Sequence, residues 1–420
     1  MYSHYSTDFG AAWSDAYTIA TGQVEDKGTI TMDADQSSPF YGRIYATWVN
    51  FTSPFPVLTA HSTNSAENWT QPTPINNPPP QRSSGGSVGV GPGGKVYAVW
   101  AAVEQNAPFT EDFVGFASSN DGGVNWSVSQ NIFDMNGING TLSAKNDIRV
   151  NGIPQVVIDN SNSSYSGWIY VVTTEKNLAP AGSDPDIILH RSSDNGTSWS
   201  TGIRVNQDPL NNGKIQYFPA IDIDDDGGIN IIYYDDRNTT SDSAEIVLAR
   251  SEDGGDTWSE LVISNHRFEP KPIIGGTSNY QGDHIALLSV GNKLYSLWMD
   301  DFSGIYQVWM AIIDLEPNAI EEPGELPSTI QLYQNYPNPF NPVTNIGFKI
   351  SPRTEKSGLS WVMLKVYDVT GQEVAVLVNK KMFPGEYWVQ WNAQELASGI
   401  YYYQLMLDEF VETKKLVFLK

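Results

Sequence analysis

Three clusters of acidic and polar residues stand at the ends of apolar runs. Asp235-Asp236-Arg237 follows Gly228–Tyr234, Asp300-Asp301 follows Leu294–Met299, and Asp283-His284 precedes Ile285–Val290. Two carboxylates facing each other across a sugar can hydrolyse a glycosidic bond, one as acid and the other as base or nucleophile. The predicted catalytic pair is Asp235 or Asp236 with Asp283 or Asp300. A site that only binds needs aromatic faces and polar groups, and Tyr217, Tyr234, Tyr280, Arg237, His284 and Asp301 would supply them. Metal chemistry has little support: five His lack paired spacing and Cys is absent. The run from Asp222 through Asp224 and Asp226 to Gly228 resembles a short calcium turn but lacks the distal glutamate of an EF-hand. The expectation is therefore no cofactor, with any calcium held in that turn being structural.

Strands must position these groups. The 420 residues are 12% aromatic and only 17% charged, with 36 Gly and 25 Pro between short runs of Val, Ile, Tyr and Trp. That is strand-and-turn composition. Gly, Pro or Asn interrupts nearly every candidate helical window.

An octapeptide repeats along the chain. It reads Ser6-Thr-Asp8-Phe-Gly10-Ala-Ala-Trp13 and recurs around Asp121 and Trp126, Asp194 and Trp199, and Asp253 and Trp258. A degenerate copy, Ser62-Thr-Asn64-Ser-Ala66-Glu-Asn-Trp69, has Asn for Asp and Ala for Gly. Each lies between two strand-like runs and reads as a hairpin turn. Ser and Asp can bond turn N–H groups, Gly supplies positive φ, and Trp packs on the sheet. With the runs between copies, the unit is strand, turn, strand, loop, strand, octapeptide, strand. Four strands in about 60 residues describe a propeller blade.

Complete units fall at about 28–77, 83–133, 148–206 and 216–264, and a three-strand unit at 280–314. The N-terminus holds only an octapeptide and flanking strand fragments. The expectation is an all-β chain: a six-bladed β-propeller over 1–315 whose first blade is incomplete, a linker over 316–329, and a small Ig-like β-sandwich over 330–420. Residues just after second strands and just before first strands would line one mouth: Asn50, Glu104, Glu175, Asp235, Asp236, Arg237, Asp300 and Asp301, facing Arg82, Arg149, Tyr217, Tyr280, Asp283 and His284. The octapeptides would sit at the opposite, outer edge.

Net charge is −24. Residues from Asn318 onward hold 9 basic and 11 acidic groups, leaving 15 and 37 to residues 1–317. Such a field disfavours nucleic acid and anionic membranes. No apolar run approaches the roughly 18 residues of a membrane span. Met1-Tyr-Ser-His-Tyr5 lacks the basic and apolar regions of a signal peptide, so a Sec signal and further blade strands are expected upstream.

The octapeptides resemble those of Asp-box (BNR-repeat) propellers, the group that includes sialidases. The resemblance covers about 1–315 and implies six blades. A sialidase would further require three arginines for a substrate carboxylate, a Tyr–Glu nucleophile pair and an acidic proton donor. The Arg-Ile-Pro motif of that family is absent, and Arg191 and Arg250 stand beside octapeptides, at the wrong end. An Asp-rich mouth would repel a carboxylate, so the expected ligand is a neutral or cationic extracellular glycan.

The last 90 residues carry a second resemblance. Asn335-Tyr-Pro-Asn-Pro-Phe-Asn-Pro342, the turn after Tyr367-Asp368, Ser398-Gly-Ile-Tyr401 and the basic-apolar end at Lys414–Lys420 closely resemble the type A sorting domain of the type IX secretion system. The resemblance implies handling of residues 330–420 by that machinery. It also implies a secreted or cell-surface location, associated with the outer membrane of a Gram-negative bacterium.

Overall fold

The computed structural model describes residues 1–8, 10–22, 24–76, 82–273, 279–315, 330–350, 360–382, 385–407 and 410–420. The expected linker at 316–329 lies outside them. The chain forms two compact units, Met1–Ile312 and Ile313–Lys420. The described residues are all-β apart from two short 3-10 turns.

In the first unit, β1 (Tyr2–Ser3) and β2 (Tyr17–Thr18) flank the first octapeptide as a two-stranded ribbon. Four antiparallel meanders of four strands follow. They are β3–β6 (Glu25–Met32, Ile44–Asn50, Val57–Ser62, Thr73–Pro74) and β7–β10 (Arg82–Gly91, Lys95–Val103, Glu111–Ser119, Ser127–Asp134). After a short hairpin, β11 (Gly140–Leu142) and β12 (Ile148–Val150), come β13–β16 (Gln155–Ile158, Ile169–Glu175, Asp186–Ser192, Ile203–Arg204) and β17–β20 (Gln216–Ile223, Ile229–Asp235, Glu245–Ser251, Ser259–Val262). A three-stranded sheet, β21–β23 (Ala286–Val290, Lys293–Asp300, Gln307–Asp314), completes the series.

The first strand of each sheet packs on the first strand of the next: β3 on β7, β7 on β13, β13 on β17, β17 on β21. First strands are therefore inner strands, and the sheets stand around them as propeller blades do. Space is short there. A Cβ on Gly89 of β7 would come within 2.4 Å of Ile158 Cδ1 on the neighbouring inner strand, so glycine permits the close approach. Lys27 on β3 reaches Asp283, just ahead of β21, which joins the first full sheet to the last.

All five octapeptides share one hydrogen-bond pattern, each closed within its own turn. In the copies at 6, 119, 192 and 251, the Ser Oγ donates to the Asp Oδ1 at 2.8 Å. The Gly N–H donates to the same Ser oxygen at 2.8–2.9 Å. An N–H four residues after the Asp donates to its Oδ1 at 2.8–2.9 Å. The glycines have φ between 82° and 98°. In the degenerate copy Asn64 takes over the acceptor role, and Ala66 holds the same left-handed conformation at φ 68°. The Trp rings of the complete sheets join the clusters between blades. Trp126 packs beside Tyr45, Val88 and Val96, Trp199 beside Tyr97 and Phe116, and Trp258 beside Tyr170 and Leu189. Trp13, beside the two-stranded ribbon, is 66% exposed.

The second unit comprises β24 (Gln331–Leu332), β25 (Val343–Ile350), β26 (Ser360–Tyr367), β27 (Glu373–Met382), β28 (Gly385–Asn392), β29 (Gly399–Leu407) and β30 (Phe410–Phe418). Sheets β24-β25-β28 and β27-β26-β29-β30 enclose one core. Ile346, Phe348 and Ile350 come from one sheet, and Val362, Leu364, Tyr403, Leu405 and Phe418 from the other. The Asn-Pro-rich opening segment clasps this sandwich. Buried Asn335 donates from Nδ2 to Thr344 Oγ1 at 2.9 Å, and its N–H donates to Tyr403 Oη at 2.9 Å. Asn338 Oδ1 accepts the Val417 N–H, while Phe340 inserts beside Trp391 and Phe418.

Candidate functional site

The predicted catalytic aspartates lie at strand ends, but three of the four are buried and paired. Asp235 closes β18. It accepts the Arg237 N–H at 2.7 Å and Arg237 Nε at 2.6 Å, and Gln216 Nε2 donates at 3.2 Å. Burial pushes its carboxyl up, against the pull of Arg237. Arg237 is itself spent, bonding Glu260 at 2.8 Å and Tyr233 Oη at 3.0 Å. Asp236 is 1% exposed and accepts Lys145 Nζ at 2.6 Å and the Ile215 N–H at 2.7 Å. Lys145 is fully buried, which lowers its pKa despite Asp236. It also donates to the Ser241 and Ser243 carbonyls, tying down the loop after β18. Asp300 closes β22. It accepts Trp298 Nε1 at 2.8 Å and the Phe302 N–H at 3.0 Å, with His266 Nε2 2.9 Å away.

The fourth, Asp283, stands in a different cluster. Lys27 bonds it, and Asn151 Nδ2 donates to it at 3.3 Å. Burial alone would raise this carboxyl, yet the Lys27 charge and hydrogen bond hold it below the ordinary range. Glu111, at the start of β9, is a buried carboxylate held by backbone donors. Its two oxygens accept the Gly152 and Asn139 N–H groups at 3.0 and 3.1 Å. Burial nonetheless raises its pKa, with Lys27 opposing. The two carboxylates are thus driven in opposite directions, Asp283 down by its ion pair and Glu111 up by burial.

The binding candidates also divide. Tyr217 and Tyr234 are fully buried and stacked at 5.0 Å between centroids, so they serve as core rather than as sugar platforms. Tyr234 Oη is engaged by the Met299 backbone, whereas Tyr217 Oη is buried beside the Gln281 amide without a well-aligned hydrogen bond. Asp301 is partly exposed, and burial raises its pKa. His284 is exposed beside Asp283. Tyr280 is half-buried, and the Arg149 guanidinium lies 4.8 Å from its ring centroid. Arg82 lies over Phe109 at 4.0 Å and Phe55 at 5.6 Å.

Lys27, Asn151, Tyr280 and Asp283 therefore meet at one end of the inner strands, with Arg149 on Tyr280. Of the candidate pair, Asp235, Asp236 and Asp300 are each bonded to donors of their own, and Asp283 is bonded to Lys27. Sequence reasoning missed Lys27, Glu111, Lys145 and Asn151. One signal was available. Trp126 and Trp199 are 73 residues apart against 56–59 for the other neighbours, and the excess holds the β11–β12 hairpin that carries Lys145 and Arg149.

Among the described residues no group of three or more His, Asp or Glu is arranged to hold a metal ion. In the turn that resembles a calcium loop, Asp224 bonds Arg250, Asn230 Nδ2 at 3.0 Å, and the N–H groups of Asp226 and Gly228.

These features define an all-β protein with a ring of blade-like sheets and a C-terminal sandwich. The sandwich can be placed further: residues 334–419 match the family described as "Secretion system C-terminal sorting domain". This C-terminal domain is a type IX sorting domain, and it marks a bacterial protein as secreted or displayed on the cell surface. No curated protein matches the sequence. Among solved structures, a Dyadobacter fermentans protein of unknown function is 11% identical, with TM-score 0.46, covering 88% of this chain and 94% of its own. An α-L-arabinofuranosidase from Fusarium graminearum, bound to an iminosugar inhibitor, is 12% identical with TM-score 0.42, covering 89% and 94%. An α-L-arabinanase from Penicillium chrysogenum, bound to arabinobiose, is 12% identical with TM-score 0.42, covering 69% and 98%. At these scores the likenesses assign no activity. Among the described residues no helix is long and apolar enough to cross a membrane.

Proposed function

We propose that the type IX machinery carries this protein across the outer membrane through residues 330–420, and that the 1–315 portion binds an extracellular glycan. In this reading the first unit is an Asp-box, sialidase-like propeller of six blades and the second an Ig-like sandwich. The observation that carries the binding assignment is the polar cluster where inner strands converge. Lys27, Asn151, Tyr280 and Asp283 are contributed by segments from three different sheets, at the end where propellers take ligands. The opposite end is filled by the octapeptide networks. A glycan array probed with the whole chain tests it, followed by hydrolysis assays on every hit. Binding abolished by Tyr280→Ala with the fold intact supports the assignment; binding lost on altering an octapeptide but kept in Tyr280→Ala overturns it.

A hydrolase reading has one specific observation in its favour. Glu111 is raised and Asp283 lowered by their surroundings, the separation that lets one carboxyl act as acid and another as base. Turnover abolished by Asp283→Asn with binding retained would select this reading over a non-catalytic one.

A further inference from the structure

In the four complete sheets the second strand is covered on both faces. Strands β4, β8, β14 and β18 are buried along nearly their whole length. The last sheet differs. Buried and partly exposed residues alternate along β22, and partly exposed and exposed ones along β23. A period of two means that one face alone is covered. The covered face holds Leu294, Trp298, Asp300 and Trp309, and it meets His266 from the segment after β20. The other face presents Leu288, Val290, Val308, Met310 and Ile312, each 54–62% exposed.

The next sheet round the ring is the first, yet no packing comparable to that of the other first strands joins β21 to β3 among the described residues. Across this break, β3 leaves Ile30 and Met32 exposed. Its outer neighbours β4 and β5 are covered: Met1, Ile19 and Ala20, which flank the β1–β2 ribbon, pack with Trp48, Leu58 and Ala60. Ser3 in the ribbon accepts Trp69 Nε1 at 2.9 Å. The octapeptide fixes the ribbon's place in the pattern. In every complete sheet it joins the third strand to the fourth. Strand β1 is therefore a third strand and β2 a fourth, the outer half of a sheet seated on the first complete one. Its inner half would be two more strands, the second of them paired to β1, which among the described residues pairs with β2 alone. That hairpin would stand in the break, between Ile30 and Met32 on one side and the bare face of β21–β23 on the other. Apolar exposure on both sides of one break exceeds the scattered exposure normal for a surface.

A second copy of the chain suits the break poorly. The ribbon already holds the outer half, which leaves a place for two strands and not for a folded unit. Residues 1–317, with 37 acids against 15 bases, also repel their like. Chain continuity points to a nearer source: loops of six to ten residues, 51–56, 104–110, 176–185 and 236–244, join second strands to third strands in the complete sheets. We infer that a two-stranded apolar hairpin, carried by the same polypeptide a short loop ahead of Tyr2, fills the break, pairs with β1 and buries Leu288, Val308, Met310, Ile30 and Met32. Packed on both faces, its strands are nearly continuous apolar runs rather than alternating ones. Segments entering first strands and leaving second strands lie at the end where Lys27, Asn151, Tyr280 and Asp283 meet. The hairpin adds two such segments there, so the candidate site is incomplete without it; this last step rests on the glycan-binding reading above.

The chain has no cysteine, so Met310→Cys or Leu288→Cys gives a single reporter thiol, and Val124→Cys, in an exposed octapeptide turn, gives an accessible control. Maleimide labelling compares the polypeptide made from the complete gene with the chain over 1–420. In the complete polypeptide both reporters should react at least about ten-fold more slowly than the control, in a protein that sediments as a monomer. In the 1–420 chain they should react as fast as the control, or the chain should fail to fold with the break left open. Fast labelling of both reporters in the folded complete polypeptide overturns the inference. So does protection already present in monomeric 1–420, and so does a natural gene product that begins at Met1. Protection that comes with the mass of two copies assigns the face to a second molecule and also overturns it. Glycan hits from the array should bind the complete polypeptide at least about ten-fold more tightly than 1–420. Equal affinity overturns the hairpin's part in the site, while the thiol result decides the hairpin itself. No glycan bound by either polypeptide, with the reporters protected, overturns the glycan reading and leaves the hairpin standing.

Discussion

The Lys145–Asp236 pair shows how little a residue's type reveals before its partners are known. Asp236 stands at a strand end, where sequence alone makes it a candidate acid, yet it lies against a buried lysine 91 positions away. Removing one member leaves the other charge buried alone. Lys145→Met is expected to cost about 3–5 kcal/mol in denaturant unfolding, and adding Asp236→Asn should recover much of that. An additive loss in the double variant would show that the two do not act as a pair. Asp222 on β17 makes a pH-dependent case. Burial raises its pKa to about 6, and its Oδ2 accepts the Ser289 N–H at 2.6 Å. The protonated form is thus the stabilising one. Its contribution is complete below the unfolded value of 3.8 and is lost as pH rises through about 6. Asp222→Asn, neutral at every pH, should therefore raise the melting temperature at pH 7.5, by an amount equivalent to about 3 kcal/mol, and give no gain at pH 3.5. Equal gains at both pH values would contradict this. Both cases explain why the site was only half legible. Arg149, Tyr280 and Asp283 could be placed because strand ends follow from local pattern. Lys27 and Lys145 could not, because a cation that finds its acid across sheets leaves no local trace.

At the scale of elements, the octapeptide was the most legible feature, because its bonds all close within eight residues. What sequence did not show is its relation to the neighbouring sheet. A Cβ on Gly196 would come within 2.4 Å of the Phe116 ring, and one on Gly255 within 2.9 Å of Leu189, so each turn is seated against the preceding blade. The tryptophans of complete sheets accordingly carry packing that Trp13 does not. Trp199→Ala and Trp258→Ala should each destabilise the first unit by roughly 2–4 kcal/mol, and Trp13→Ala by under about 1 kcal/mol. Calorimetric melting of the three variants decides it. Equal losses in all three would mean that inter-sheet packing is not what the ring contributes. The octapeptide carboxylates add an acid limit. Hydrogen bonds hold Asp194 at about 2, with Ser198 contributing most, and Asp121 and Asp253 also lie at about 2. Their stabilisation is present above the unfolded value of 3.8 and fades as pH falls toward 2.

For the whole molecule, the two units divide the work. The sandwich carries the sorting motif, and its conspicuous residues are structural: Asn335 joins the opening segment to Thr344 and Tyr403, and Asn338 holds β30. Deleting residues 330–420 should leave the protein in the periplasm of a host with type IX secretion, with surface delivery of the truncated protein as the contrary result. In the proposed function the first unit carries the recognition. Its two ends differ in chemistry, one holding the octapeptide networks and the other the Lys27–Asp283 ion pair with Arg149 over the Tyr280 ring. The central claim is that ligand binds at that second end. Hydrogen exchange of the whole chain, with and without saturating amounts of a glycan hit, tests this most directly. Exchange should slow in 24–28, 148–152 and 279–284, and stay unchanged in the octapeptides at 119–126, 192–199 and 251–258. Protection confined to the octapeptides, with none at the converging ends of the inner strands, would contradict the account.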